Sequence, residues 1–213
     1  MTRILLVDDH PLVRQGIKQV LIGAFHPALV SEVSNAEEGA SELRNNSWDV
    51  IVLDLSLPGM SGLDWLKEVR RERPKVPVLI LSMYQPAQFA RRAMNAGAAG
   101  YLTKDSDPAE LVKAVGEIIA GRRYLNPGVI DEMVADLETH RPDRGPRPHE
   151  SLSDREYQVM RMIASGLTVS QIAQGLSLSV KTISTFRARV LKKMEMKTTA
   201  ELMHYAVRQG LVD

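Results

Sequence analysis

Cysteine is absent from this chain of 213 residues, and aromatic residues make up only 5% of it. Without thiols the chain can form neither disulfides nor thiolate metal sites, a composition that fits a reducing compartment. Long apolar runs are also missing. The longest have the length of a strand, whereas a membrane-spanning helix needs about 20 residues. The first strand-like run begins at Ile4 without the basic, apolar and small-residue pattern of a secretory leader, so we expect none. We therefore expect a cytoplasmic protein that does not enter a membrane.

The net charge of +1 is small, but it is distributed unevenly along the chain. Residues 1–121 carry 13 basic and 15 acidic side chains, residues 122–150 carry 5 and 6, and residues 151–213 carry 9 and 5. The C-terminal segment is therefore basic, whereas the rest of the chain is slightly acidic. A basic segment of this kind favours binding to a polyanion.

Strand-like apolar runs alternate with amphipathic helical segments in the first half of the chain. The runs are Ile4–Asp8, Leu29–Ser34, Val50–Leu55, Val78–Ser82 and Gly100–Thr103. This alternation predicts an α/β domain with a five-stranded parallel sheet. Such sheets bind ligands outside the carboxyl ends of their strands. The residues at those ends are Asp8, Asp9, Asp54, Ser82 and Lys104.

The second half of the chain has a different organisation. The stretch RPDRGPRPHE at residues 141–150 contains three prolines and one glycine, which is typical of a semi-rigid linker. We predict domains at residues 1–121 and 151–213, joined by a linker at residues 122–150 that includes a short helix at Val129–Leu137.

N-cap patterns predict four short helices in the C-terminal domain, near residues 154–165, 169–176, 180–194 and 199–209. The capping residues are Ser153, Thr168, Ser179 and Thr198. The second and third helices are joined by a short connection at residues 177–179, which is typical of a helix-turn-helix.

The acids at the strand ends indicate chemistry on a phosphate. Asp8, Asp9 and Asp54 offer only oxygen ligands, and Mg²⁺ is the small cation that binds a few carboxylates while keeping several waters. Asp54 is the natural nucleophile, because it ends the central strand and precedes the stiff turn Leu57-Pro58-Gly59. The arrangement allows either catalysis on a phosphate or acceptance of one.

The predicted helix at residues 180–194 has two different faces. Ile183, Phe186, Val190 and Met194 recur at helical spacing and should face the core. Between residues 181 and 197, six basic residues stand against one acid, Glu195, which indicates contacts to phosphates. A solvated face held by salt bridges is the alternative, and the shortage of acids disfavours it.

A helix of this size fits the major groove of double-stranded DNA. We expect small side chains to contact bases and basic ones to contact phosphates. The predicted DNA contacts are Lys181, Thr182, Ser184, Thr185, Arg187, Ala188, Arg189, Lys192 and Lys193.

Two groups of motifs resemble a known family. The first group resembles the receiver domain of two-component response regulators, and consists of VDDH, LDLSLPGMSGLD, LSMY and GYLTKD. The second resembles the LuxR-type helix-turn-helix domain of the NarL/FixJ subfamily, and is LSDREYQVMRMIASGLTVSQIAQGLSLSVKTISTFRARVLKKM. The resemblance implies a flavodoxin-like receiver, in which Asp54 accepts a phosphoryl group from a sensor histidine kinase. It also implies that Asp9 binds Mg²⁺ directly and that Asp8 assists through water.

The resemblance assigns signalling roles to three further residues. Ser82 is the hydroxyl that moves toward the phosphoryl group, Lys104 is the ion-pair partner of that group, and Tyr101 changes rotamer with Ser82. Phosphorylation should then shift an existing equilibrium between conformers. The conformer it favours is expected to form a homodimer through Thr199–Gln209 on a two-fold DNA site, and so to control transcription.

An enzyme is the rival interpretation. An Mg²⁺-dependent phosphohydrolase could use Asp54 as a nucleophile, but enzymes of the haloacid dehalogenase type have a second acid two residues later, where this chain has Ser56. A receiver that works by partner binding alone is disfavoured, because all the residues needed for phosphorylation are present. We therefore predict a regulator and not an enzyme, with a metal site formed by Asp8, Asp9, Asp54 and Ser56.

Overall fold

The computed structural model describes residues 1–83, 87–131, 134 and 147–212 of the chain. The chain divides into two compact units, Met1–Glu138 and Thr139–Asp213. In the described part of the chain, no helix is both long enough and apolar enough to cross a lipid bilayer.

The first unit alternates strands and helices along its length. Its elements are β1 (Thr2–Val7), α1 (Pro11–Ala24), β2 (Ala28–Val33), α2 (Ala36–Asn45), β3 (Val50–Asp54), α3 (Gly62–Glu72), β4 (Val78–Ser82), α4 (Ala87–Asn95), β5 (Gly100–Thr103), α5 (Pro108–Ile119) and β6 (Tyr124–Leu125). All neighbouring strands are parallel, in the order β2-β1-β3-β4-β5-β6. The predicted parallel α/β fold is confirmed.

The sheet has six strands, whereas the sequence predicted five. β6 pairs with β5, with Leu125 opposite Tyr101. Tyr124 packs into the core beside α5, and its hydroxyl donates a hydrogen bond to Glu110 at 3.1 Å. The amide of Asn126 donates to the same carboxylate oxygen at 2.9 Å. Two residues are too few to show a strand periodicity, so the sequence assigned them to the linker.

The central strands are buried along their whole length. Every residue of β3 and β4 is buried, as expected for parallel strands covered by helices on both faces. One part of the core joins the sheet to α1 and α5 through Leu21, Val115 and Ile118. This packing fixes the strands, and therefore fixes the positions of the polar residues at their carboxyl ends.

The second unit is helical, as predicted. It contains α6 (Asp154–Ala164), α7 (Val169–Gly175), α8 (Val180–Lys193) and α9 (Thr199–Arg208), preceded by a 3₁₀ helix at Pro148–Ser151. Each of the four predicted capping side chains accepts a hydrogen bond from a backbone N–H in the first turn of its helix; these residues are Ser153, Thr168, Ser179 and Thr198.

The segment predicted as a linker, residues 122–150, contains ordered elements. β6 lies near its start and the 3₁₀ helix Pro148–Ser151 lies at its end. Residues 127–131 and 134 are helical. The rest of the predicted helix at Val129–Leu137 falls outside the described residues. Residues 141–146 of the proline-rich stretch lie outside them as well. The sheet of the first unit therefore extends beyond residue 121.

Candidate functional site

An acidic cluster lies where β1 and β3 end. Asp8 directly follows β1 and Asp54 is the last residue of β3, and each is only 1% exposed. Among the described residues, Asp8, Asp9, His10 and Asp54 can each offer one ligand atom within 4.8 Å of the others. The structure thus brings together the three acids that the sequence singled out.

Lys104 lies between the two buried carboxylates. Its ammonium is 2.6 Å from Oδ2 of Asp8 and 2.7 Å from Oδ2 of Asp54, and its side chain is 3% exposed. Burial raises the pKa of the Asp54 carboxyl, and this outweighs the opposing effect of Lys104. Burial alone would lower the pKa of Lys104, but Asp54 and Asp8 reverse the effect and raise it. Lys104 therefore stays charged and offsets part of the buried negative charge.

Backbone N–H groups hold the same carboxylates in place. The N–H of Ser56 donates to Oδ1 of Asp54 at 3.1 Å, and the N–H of His10 donates to Oδ1 of Asp8 at 2.8 Å. The ring Nδ1 of His10 also lies 2.8 Å from Oδ1 of Asp9. Both buried acids are thus oriented by the loops that follow them.

The loop after β3 depends on Gly62, which the sequence reasoning missed. A Cβ at this position would lie 2.2 Å from the carbonyl oxygen of Asp54 and 2.8 Å from the Cα of Leu55. The N–H of Gly62 donates to the carbonyl of Leu55 at 3.0 Å. Only glycine allows the start of α3 to approach the backbone of Asp54 and Leu55 so closely. No pattern in the sequence shows this approach, because it depends on tertiary packing.

Arg14 is a second residue that the sequence reasoning missed. Its guanidinium donates to the backbone carbonyl of Asp8 at 2.5 Å and lies 3.6 Å from a carboxylate oxygen of Glu32. Arg14 therefore ties the first turns of α1 to the acidic loop after β1. A basic residue in the helix that follows the acids was the available signal.

Ser82 and Tyr101 lie on neighbouring strands beside the acidic cluster. Ser82 ends β4 and is fully buried, and its carbonyl accepts the backbone N–H of Lys104 at 2.8 Å. Tyr101 is also fully buried, and in the register of β4 and β5 it lies opposite Ile80. This backbone hydrogen bond joins Ser82, the residue that carries the predicted hydroxyl, to Lys104.

The donors of the acidic cluster fit a hard divalent cation. The carboxylates of Asp8, Asp9 and Asp54 supply oxygen atoms, which Mg²⁺ prefers over nitrogen or sulfur. Three carboxylates face one ammonium, so negative charge is in excess. A buried excess of negative charge is costly unless a cation compensates it. The cluster can therefore hold a metal ion.

In the second unit, α8 shows the two faces that the sequence predicted. Ile183, Val190 and Met194 are buried and Phe186 is half-buried. Thr182 is half-buried, and the other predicted DNA contacts are exposed; these are Lys181, Ser184, Thr185, Arg187, Ala188, Arg189, Lys192 and Lys193.

Two of the exposed cations have partners within the unit. The ammonium of Lys193 lies 2.6 Å from Oε2 of Glu156, a nearly buried carboxylate of α6. The guanidinium of Arg187 donates to the hydroxyl of Thr199 at 2.9 Å. Only the acids near α8 entered the sequence prediction, which therefore missed the partner of Lys193, because that partner lies 37 positions away.

A parallel α/β unit with an acidic pocket, followed by a helix-turn-helix unit, defines the class of signal-responsive DNA-binding regulators. Residues 4–116 match the response regulator receiver domain, and residues 150–206 match the luxR family of bacterial regulatory proteins. The chain belongs to the response regulator family, with a LuxR-type helix-turn-helix of the NarL/FixJ kind.

Full-length relatives share this organisation. The chain is 36% identical over 211 residues to the response regulator UvrY of Escherichia coli K12, an alignment that covers 99% of this chain and 96% of UvrY. It is 35% identical over 213 residues to the response regulator GacA of Pseudomonas aeruginosa, covering 100% of this chain and 99% of GacA.

Solved structures are similar as well. A LuxR-family response regulator from Aurantimonas sp. SI85-9A1 is 41% identical with a TM-score of 0.61, covering 65% of this chain and 99% of that one. The response regulator RcsB, in a complex with DNA, is 25% identical with a TM-score of 0.59, covering 97% of this chain and 98% of RcsB.

Proposed function

We propose that this chain accepts a phosphoryl group on Asp54 from a sensor histidine kinase, and that the phosphorylated form binds double-stranded DNA to control transcription. The buried cluster of Asp8, Asp54 and Lys104 is the observation that carries this proposal. In this cluster the carboxylate of Asp54 lies beside the ammonium of Lys104, at the carboxyl ends of the strands, and parallel sheets bind their ligands at that edge.

The transfer step needs an ionised Asp54. One carboxylate oxygen of Asp54 attacks the phosphorus atom, and the bond from phosphorus to the donor breaks as the donor leaves with its electron pair. Asp8, Asp9, Asp54 and Ser56 would hold Mg²⁺, which would supply positive charge to the phosphoryl oxygens. The N–H of Ser56 keeps hold of the other oxygen of Asp54, and Lys104 pairs with the new charge.

The response to phosphorylation is assigned to Ser82 and Tyr101. Ser82 is buried on β4, the strand next to Asp54, and Tyr101 is buried on β5, one strand further, so a new phosphoryl group should change the contacts of Ser82 first. Tyr101 follows by changing rotamer in the adjacent strand. In the second unit, α8 would enter the major groove and α9 would form the dimer contact. The exposure of Met203 and Val207, one turn apart on α9, supports that contact.

Mass spectrometry tests the acceptor. Incubation of the protein with Mg²⁺ and a small acyl phosphate should add one phosphoryl group at Asp54. The adduct should be lost in Asp54→Asn and when Mg²⁺ is chelated. Persistence of the adduct in Asp54→Asn would show that the assignment is wrong, and rapid continuous release of phosphate would support the rival phosphohydrolase.

A further inference from the structure

We propose that α8 reads its DNA site mainly through the 5-methyl groups of thymines, using Val180, Thr185 and Ala188. The inference rests on the proposed function, because it assumes that the exposed face of α8 lies in the major groove. It goes further by naming the feature of the DNA that this helix recognises.

The two threonine hydroxyls of α8 form hydrogen bonds to neighbouring groups of the chain. The hydroxyl of Thr185 donates to the backbone carbonyl of Lys181 at 2.9 Å. The hydroxyl of Thr182 is hydrogen-bonded to that of Ser179 at 2.8 Å. Because the proton of Thr185 is used within the helix, its hydroxyl can no longer donate to a base, and its methyl branch is the apolar group that it offers to a ligand. Thr185 therefore presents an apolar group, although the residue type is polar.

Val180 extends this apolar surface to the end of the helix that is directed into the groove. It is the first residue of α8 and is 51% exposed. A helical side chain leans toward the N-terminus, so at the first position it projects beyond the helix with no preceding turn to cover it. Val180, Ser184 and Ala188 are spaced four residues apart and form one exposed row along α8.

The chemistry of this face favours methyl recognition over bidentate hydrogen bonding to adenine. Asparagine and glutamine, which read adenine, are absent from α8. Arg187, a residue type that reads guanine, donates to Thr199 at the start of α9. Ser184 is the small hydroxyl that remains exposed on the row. In the major groove the thymine 5-methyl group is the apolar feature, and aliphatic side chains are its usual contacts.

A series of duplexes, each lacking one thymine methyl group, tests the proposal. The full-length protein, phosphorylated with a small acyl phosphate and Mg²⁺, first selects its tightest duplex from a random-sequence library. Each thymine of that duplex is then replaced by deoxyuridine, which removes the methyl group and leaves base pairing unchanged. We expect the affinity to fall about fourfold at each thymine under α8, the loss that corresponds to one buried methyl group.

Variants assign the methyl contacts to side chains. In Val180→Ala, replacement of one particular thymine by deoxyuridine should no longer lower the affinity, because the contact is already lost. Val180→Thr keeps the side-chain shape and one methyl group, and should retain part of the effect. Leu167→Ala, a half-exposed apolar residue ahead of α7, is the control and should leave the whole deoxyuridine pattern unchanged.

Two results would overturn the proposal: no deoxyuridine lowers the affinity, or Val180→Ala keeps the wild-type pattern. In either case, selective binding of the chosen duplex over random DNA would still support the proposed function as a DNA-binding regulator. Loss of that selectivity in the wild-type protein would instead count against the proposed function.

Discussion

Glu156 serves two helices with one carboxylate oxygen. Its Oε2 accepts the N–H of Ser153 at 2.8 Å, completing the capping box of α6, and accepts the ammonium of Lys193 at 2.6 Å. Burial alone would raise the pKa of Glu156, but these hydrogen bonds outweigh it and lower the pKa. The ionised carboxylate therefore joins the start of α6 to the last turn of α8.

The pH dependence of stability should show this role. Because the pKa of Glu156 is lower in the folded state, its stabilising effect is complete above the unfolded value of 4.5 and is lost as the pH falls through the folded value. Glu156→Gln should lower the free energy of unfolding by about 1 kcal/mol at neutral pH, since Lys193 is partly solvated. The difference from wild type should shrink in acid.

Native-state hydrogen exchange of the amides in α6 and α8 measures this effect in the whole protein. A matched variant is Glu201→Gln, in which the exposed carboxylate that caps α9 is replaced. We expect its effect to be smaller than that of Glu156→Gln, because that side chain caps its own helix without joining a second one. An equal loss of protection in α8 would contradict the bridging role.

At the scale of elements, the loop between β3 and α3 is built around the close approach of Gly62 to Asp54. Gly62→Ala would place a Cβ against a backbone carbonyl that cannot rotate away. We expect a loss of about 3 kcal/mol in the free energy of unfolding, at the upper end of overpacking costs. Phosphorylation of Asp54 should also slow, because the loop must move.

Gly16→Ala is the control for this loop. Gly16 lies within α1 with no atom close to an added Cβ, so alanine should stabilise the helix by about 0.5–1 kcal/mol. Urea denaturation measures both variants. A Gly62→Ala protein as stable as Gly16→Ala would show that the approach is not required.

The last turn of α8 contains two neighbouring lysines with different surroundings. Lys193 is held by Glu156, whereas Lys192 is exposed. Lys192→Ala should weaken binding to all duplexes alike and reduce the slope of log affinity against log salt by about one unit. Because Lys193 pairs with Glu156, we no longer expect it to contact a phosphate, so Lys193→Ala should lower affinity by releasing the helix, with the slope unchanged. Titrations at several salt concentrations separate the two, and equal slope changes would contradict this distinction.

Sequence patterns predicted the elements better than the contacts between them. The buried strands and the capping residues carry local signals, so the five long strands and the four helices of the second unit were predicted correctly. β6 has two residues and no periodicity. Lys193 pairs with Glu156 on an element that is distant in sequence. Gly62 fits against Asp54 only because α3 packs closely on the end of β3. Such contacts leave no local pattern.

At the scale of the whole molecule, we expect Lys104 to carry the signal of phosphorylation from Asp54 toward the DNA-binding unit. Its ammonium contacts Asp54 and its backbone N–H is bonded to Ser82. Lys104→Ala should still form the adduct at Asp54. Its DNA affinity should not rise on phosphorylation, because without the ammonium the phosphoryl group no longer favours one conformer over the other.

Binding titrations with and without a small acyl phosphate test this separation of acceptance from response. Lys75→Ala, an exposed lysine of the same unit, should respond as wild type does. If phosphorylated Lys104→Ala binds DNA like phosphorylated wild type, Lys104 does not carry the signal.

The short strand β6 also affects how copies of the protein can associate. An uncovered β5 would present a row of unpaired N–H and C=O groups, which is a template for strand addition from another chain. β6 covers that edge and itself offers only two residues for pairing. This edge is therefore protected against growth into intermolecular sheets, and addition of a strand from another copy at β6 is disfavoured even at high concentration.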